Sequence, residues 1–297
     1  MSDRESKNAF LLDRPGIRDS FDRASAQYES AAALQASVGE ELLSRLEFFK
    51  LEPRMILDLG SGTGRGTAGL KRAYPGATVV ALDFAPGMLR EARRYLNDEA
   101  TQFERICADA LRLPIAEGRV DLIFSNLMLQ WCEVPDIAFA EVRRVLKPGG
   151  LFVFSTFGPQ TLQELRAAWA AADSGSHVNH FIDMHDLGSA LMRAGLAEPV
   201  LDVERMQRQF PDVRSLMREL KTIGAHNVAL DRARGLTTPG RFRRMEEVYE
   251  VQRRDGALPA TYEVIFGAAW GQGGRPSRRA VEGEIVIPAG AIRVKPG

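Results

Sequence analysis

The segment Asp58-Leu59-Gly60-Ser61-Gly62-Thr63-Gly64 carries a carboxylate and three alternating glycines directly after a short apolar run, Met55–Leu59. Glycines at such a turn let the backbone bend tightly and approach a ligand closely. A carboxylate at the start of the loop suits a cationic ligand group better than a pyrophosphate. The dinucleotide pattern G-x-G-x-x-G would also need a third glycine at position 65, which is Arg65. Asp83 closes the second apolar run, 23 residues beyond Gly60. An acidic side chain there can accept hydrogen bonds from both hydroxyls of a ribose. Asp109, within Ala108-Asp109-Ala110, follows the third run, and Ser125-Asn126-Leu127 follows the fourth. Any one Asp at a strand end has a plain structural explanation. Four consecutive strand ends, each carrying a group able to bind part of a nucleoside, are far harder to explain that way.

These residues can meet only if the runs form neighbouring strands. Met55–Leu59, Ala77–Leu82, Phe103–Cys107, Val120–Phe124 and Leu151–Ser155 read as strands, with helical stretches at Gly66–Tyr74, Pro86–Leu96 and Pro135–Leu146 between them. Lys147-Pro148-Gly149-Gly150 supplies a sharp stop before the fifth strand. Strand–helix alternation of this kind implies a mostly parallel sheet with helices on both faces. Before it, 17–49 has an apolar stripe at helical spacing through Phe21, Ala24, Tyr28, Ala31, Leu34 and Val38. After it come helices at Thr161–Ala172 and Met184–Ala194, a sixth strand at Val200–Arg205, and amphipathic helices at Pro211–Gly224 and Pro239–Asp255. A last strand falls at Ala260–Phe266, and Ile285–Ile287 offers an edge strand in a Gly- and Pro-rich tail.

The chain has 297 residues, enough for one large α/β domain with additions or for two domains. Lys plus Arg and Asp plus Glu each number 39, so the formal net charge is zero, which excludes a generally basic nucleic-acid binder. The neutral total conceals a split. Residues 156–204 carry 2 basic and 7 acidic residues, a net of −5, while 205–255 carry 12 and 7, a net of +5. Two cysteines, Cys107 and Cys132, are too few for a disulfide framework. With a charged start, no secretory h-region and no long apolar run, the expectation is a soluble cytoplasmic protein.

The glycine loop and its carboxylates resemble the cofactor motif of class I S-adenosylmethionine-dependent methyltransferases. Segments outside that motif narrow the resemblance: Phe21–Tyr28, Ser125–Cys132, Ser155–Leu162, His177–Asp186, Leu220–Asn227 and Leu258–Val264. Together, over about residues 16–270, the chain resembles the malonyl-[acyl-carrier protein] O-methyltransferase family of biotin synthesis (BioC). The resemblance implies a Rossmann-like, doubly wound sheet of seven strands with the last antiparallel, an N-terminal helical segment, and a helical cap inserted before the last strand. The implied domains are a lid at 1–54, a cofactor domain at 55–210 and 256–270, a cap at 211–255 and a tail at 271–297.

It also implies S-adenosylmethionine as cofactor, held by Asp58, Gly60, Ser61, Gly62, Gly64, Asp83, Phe84, Met88, Asp109, Ala110, Asn126 and Leu127. The implied reaction methylates the free carboxylate of a malonyl thioester, on acyl carrier protein or coenzyme A, at the start of pimeloyl synthesis. An ionised carboxylate needs no general base, so no catalytic acid–base residue is expected. Candidates for holding the substrate are Tyr28, Trp131, His180, Lys221, Arg232 and Tyr262, with Arg234 beside Arg232. The family pattern has arginine where this chain has His180, so a permanent charge gives way to a titratable one. His177, His180 and His185 are poorly spaced for a metal, and no metal is expected. Other readings on the same fold are a different small-molecule methyltransferase and a non-methylating assembly factor of respiratory complex I. The +5 of 205–255 suits an acidic carrier protein, although helix 239–255 can also pair its own charges.

Overall fold

In the computed structural model the described residues are 12–173, 175–225, 227, 237–271 and 273. Seven strands form one sheet in the order β3-β2-β1-β4-β5-β7-β6. They are β1 (Met55–Leu59), β2 (Thr78–Asp83), β3 (Glu104–Cys107), β4 (Val120–Asn126), β5 (Leu146–Phe157), β6 (Ala197–Phe210) and β7 (Leu258–Trp270). β1 pairs in parallel with β2 and β4, and β4 with β5, while β7 runs antiparallel between β5 and β6. β1, β2 and β4 are almost wholly buried, as expected of strands covered on both faces. Consecutive residues serve opposite faces. Ile56, Leu122 and Phe124 join one core with Val38 and Leu216, while Leu57, Leu59 and Ile123 join a second with Phe139, Phe152 and Leu191.

The helices described are α1 (Arg14–Ala24), α2 (Tyr28–Ala31), α3 (Ala33–Arg45), α4 (Arg65–Ala73), α5 (Pro86–Glu91), α6 (Pro135–Val145), α7 (Gln163–Ala172), α8 (Met184–Arg193), α9 (Val213–Thr222) and α10 (Pro239–Glu250). α1 to α3 precede the sheet, and α9 and α10 lie between β6 and β7. The order of the parallel strands reverses at β1/β4, and the glycine loop leaves the carboxyl end of β1 at that switch. In doubly wound sheets this is where ligands bind.

Four elements differ from the sequence reading. The single stripe over 17–49 is broken into α1, a 3₁₀ turn, α2 and α3. The breaks fall at Ser25–Gln27 and Ala32, and Tyr28–Ala31 buries none of its residues fully. The helix begun at Pro86 tightens into a 3₁₀ stretch at Ala92–Asn97. Lys147–Gly150 does not stop the chain ahead of β5. Val120 pairs with Leu146 and Leu122 with Leu151, so the four residues bulge out opposite Asp121, with Gly149 at φ +69°. β6 is 14 residues long because, as an edge strand, it alternates charged and apolar side chains and looks polar in sequence. Ile285–Ile287 lie outside the described residues.

Candidate active site

The glycine loop is held to the end of β2 by its own backbone. The amides of Gly60 and Ser61 donate to the Leu82 carbonyl at 2.8 and 3.0 Å. The Gly62 amide donates to Asp83 Oδ2 and the Ala85 amide to Asp83 Oδ1, each at 2.9 Å. Asp83 is 8 % exposed. An ionised carboxylate has roughly four acceptor sites, so two backbone bonds leave capacity for two hydroxyls. Asp58, 2 % exposed, accepts from Thr67 Oγ1 in the first turn of α4. Gly64, at φ +85°, starts that helix, and a side chain there would meet Ala92 Cβ at 2.9 Å. Its position is structural, since it lines neither of the clefts described next.

Two adjoining clefts open along the carboxyl edge of the sheet. The first encloses about 940 Å³, its open mouth included. Of the sequence candidates it brings together Gly60, Gly62, Asp83, Phe84, Met88, Asp109, Ala110, Asn126 and Leu127 with Tyr28 and Trp131. The second holds Asp58, Ser61, Gly62 and Tyr28. Asn126 is fixed by donating to the Gln35 carbonyl at 2.9 Å and accepting from Ser155 Oγ at 2.7 Å. Leu127 takes φ +49°, a strained conformation for leucine, and its amide donates to Ser155.

The segment 12–31 closes over the first cleft. The Leu12 amide donates to Glu133 Oε1 at 2.7 Å, and Arg14 forms an ion pair with Asp109. Phe21 meets Trp131 edge-on at 5.1 Å. Asp22 accepts from the Gly87 amide, and Glu29 takes Thr63 and Arg94, the latter at 2.9 Å. Tyr28 therefore sits over the glycine loop, where burial, Asp83 and Glu29 push its phenol well above its ordinary range. It stays a hydrogen-bond donor at any working pH.

The remaining candidates lie farther along. Tyr262, buried on β7, lines a third cleft that shares Gln35, Gln130, Trp131 and Phe157 with the first. Lys221, exposed on α9, lines a fourth. His180 is exposed and lines none of these four clefts. Arg232 and Arg234 lie outside the described residues. His177 stacks on Trp169 and pairs with Asp173 at 2.8 Å. Among the described residues, no group of His, Cys, Asp and Glu could hold a metal ion.

Arg14 and Gln35 also line the first cleft and were not singled out from the sequence. A signal for Gln35 existed: it stands seven residues after Tyr28, two helical turns along one face. For Arg14 there was none, because its pairing with Asp109 depends on how α1 packs against α5.

The arrangement fits S-adenosylmethionine on the structure's own terms. Ser61 Oγ and Gln35 Oε1 are buried and have no protein partner. Leaving such atoms unpaired is costly, and both face the glycine-loop cleft. A Cβ at Gly60 would sit 2.5 Å from Met128 Cβ, so only glycine keeps that space.

A methyltransferase-domain family model matches residues 57–154. The malonyl-[acyl-carrier protein] O-methyltransferase of Laribacter hongkongensis is 46 % identical over 94 % of this chain and 96 % of its own. That of Methylovorus sp. is 50 % identical over 89 % and 90 %. The chain belongs to the malonyl-[acyl-carrier protein] O-methyltransferase family. It is a methyltransferase, and its methyl donor is S-adenosylmethionine. Solved structures agree on the fold. YcgJ of Bacillus subtilis aligns at a TM-score of 0.57 over 78 % of this chain and 99 % of its own, at 14 % identity. A Haemonchus contortus phosphoethanolamine N-methyltransferase, in complex with S-adenosyl-L-methionine, aligns at 0.51 over 84 % and 57 %, at 16 % identity.

Burial raises the Asp58 carboxyl to about 7, with Thr67 opposing and Asp83 adding to the rise. Burial also raises Asp83 to about 6, against the amides of Ala85, Gly62 and Phe84. Both lie above the usual carboxylate value of about 4. The folded, cofactor-free chain therefore holds these protons more tightly than the unfolded chain. The stability they contribute is full below about pH 4 and is lost as pH rises through 6 to 7. A cationic ligand beside the ionised pair offsets that loss. Affinity for S-adenosylmethionine should weaken roughly tenfold from pH 8 to 5.5, and its thermal stabilisation should grow with pH. Calorimetry in two buffers should detect proton release on binding. A pH-independent Kd would count against these carboxylates facing the cofactor.

Proposed function

We propose that the protein methylates the free carboxylate of a malonyl thioester, giving the methyl ester that opens pimeloyl synthesis for biotin in the cytoplasm. The observation that carries this reading is relatedness along nearly the whole chain, beyond the cofactor motif, to enzymes of that name. The non-methylating alternative has no comparable support.

In this reading Asp83 holds the ribose, Asp109 and Ala110 flank the adenine, and Asp58, Ser61 and Gln35 face the amino-acid end of the cofactor. S-adenosylmethionine, when bound, supplies a methyl group on a sulfonium, and a carboxylate ionised at pH 7 takes it up without any proton transfer. The protein's own contribution is position and dryness. α1 and α2 shut water out, and Trp131, Met128 and Phe157 wall the cleft with apolar surface. A carboxylate is costly to bury there unless it is hydrogen-bonded. Tyr28 and Gln130 offer donors without a full counter-charge, so the oxygen keeps its nucleophilicity. The neutral ester loses that need for donors and leaves more readily.

The test is methyl transfer from labelled S-adenosylmethionine to malonyl-carrier protein, malonyl-CoA, free malonate and unrelated acids. Ester should form on the malonyl thioesters with kcat/KM at least about tenfold above free malonate. Cofactor binding with no transfer to any malonyl thioester would overturn the reading.

A further inference from the structure

The fourth cleft is larger than a malonyl group requires. It encloses about 1430 Å³, open mouth included, between α7, α9 and α10. Its walls are apolar, chiefly Leu165, Trp169, Val178, Met217 and Phe242. It is not isolated. Leu162, Asn179, Phe181, Leu220 and Ala225 line both it and the third cleft, and Ala225 also lines the first. The three clefts thus adjoin in series, from the surface of α9 to the cleft beside the glycine loop, and we treat them as one passage.

The outer end of the passage is basic. Arg218 and Lys221, one helical turn apart on α9, are exposed at the fourth cleft, and neither has an ion pair among the described residues. Neighbouring arginines differ. Arg208 is paired with Glu219, Arg214 with Glu246, Arg241 with Asp173 and Arg253 with Glu250. Three of these pairs lie within 205–255 and leave its net charge unchanged, and at the entrance Arg218 and Lys221 stand without an ion pair among the described residues.

We infer that this passage receives the 4′-phosphopantetheine arm of the malonyl thioester, with Arg218 and Lys221 on its phosphate. The inference rests on the malonyl-thioester reading above. A malonyl group is short and charged, so an apolar bore leading away from the reaction site serves what trails behind it. The arm has a matching order of groups: a phosphate outermost, then a gem-dimethyl segment, two amides and the thioester. The passage offers cations, then apolar walls, then Asn179 and Gln130 towards the methyl donor. The same arm occurs in coenzyme A and on carrier protein, and the basic entrance suits both.

The experiment compares three substrates: malonyl-carrier protein, malonyl-CoA and malonyl-N-acetylcysteamine, which lacks the phosphate and most of the arm. The wild type should prefer both long thioesters over the short one in kcat/KM. In the double variant Arg218→Ala, Lys221→Ala, that preference should fall about tenfold or more, mostly through KM. Met217→Trp, which narrows the bore, should lower it as well. A larger fall for malonyl-carrier protein than for malonyl-CoA would add carrier-protein docking to phosphate recognition at the entrance. If the variants leave the long-to-short ratio unchanged while the wild type methylates malonyl thioesters, the passage is not the route of the arm. If the wild type methylates none of the three, the malonyl-thioester reading fails and the passage assignment with it.

Discussion

Asp83→Ala is expected to weaken S-adenosylmethionine binding by roughly 10²-fold or more. Two ribose hydroxyls would each lose a hydrogen bond to a charged acceptor, about 1.5–3 kcal/mol apiece. The same carboxylate accepts the amides of Gly62 and Ala85. Removing it therefore also loosens the Gly62 end of the loop, while the Gly60 and Ser61 amide bonds to Leu82 remain. Asp83→Asn separates the two losses. Its side-chain oxygen can still take one loop amide, so loop order should largely survive while the charge-assisted bonds to the ribose do not. Titration calorimetry on both variants, with thermal denaturation of the cofactor-free proteins, tests this. An alanine variant with wild-type affinity would remove Asp83 from the cofactor site. A variant that fails to bind only because it has unfolded would show a collapsed melting curve without ligand.

Gly60→Ala is expected to cost both stability and cofactor affinity. Gly60 adopts φ +77°, where a Cβ costs about 1–2 kcal/mol. The added carbon would also lie 2.2 Å from Met128 Cγ and 2.5 Å from Met128 Cβ. The end of a methionine can swing aside, but its Cβ moves only with the backbone after Leu127, which is already strained at positive φ. The loop must therefore shift into the space the cofactor needs. Loss of about 2 kcal/mol corresponds to a Tm lower by roughly 4–8 °C, with cofactor affinity reduced by about 30-fold. Gly62→Ala provides the comparison. It also has positive φ, +54°, but a Cβ there has nothing within 4 Å. Its loss of stability should be smaller. Equal damage at both positions would mean that backbone conformation alone sets the cost, not the approach of Met128.

The closure of the N-terminal segment gives these losses a functional setting. Arg14 pairs with Asp109, which the cofactor reading places beside the adenine. Tyr28 and Gln35 face the clefts from the same segment. Ligand entry and lid packing thus draw on the same side chains. No described helix is long and apolar enough to cross a membrane.

Much of the cofactor side was legible in the residues themselves. Asp58, the glycines, Asp83, Asp109 and Asn126 stand at ends of strands whose apolar runs are continuous, and parallel strands must end on one edge. Local chain geometry therefore fixed which side chains would meet. The length of β6, the bulge at Lys147–Gly150 and the break at Ala32 were not legible. They depend on partner strands and on what each segment packs against, and local pattern does not record that. The acceptor side was less legible still. Tyr28, Trp131 and Tyr262 come from a lid, a loop after β4 and the antiparallel β7, brought together only by tertiary packing. Lys221 lines a separate cleft, and His180 is exposed and lines none of the four. By itself the sequence determined the sheet edge that we assign to the methyl donor, because strand ends and glycine turns are short-range facts. Only the tertiary structure decided the cleft through which we infer the acceptor enters, because a cleft between α7, α9 and α10 is made of surfaces that no single segment contains.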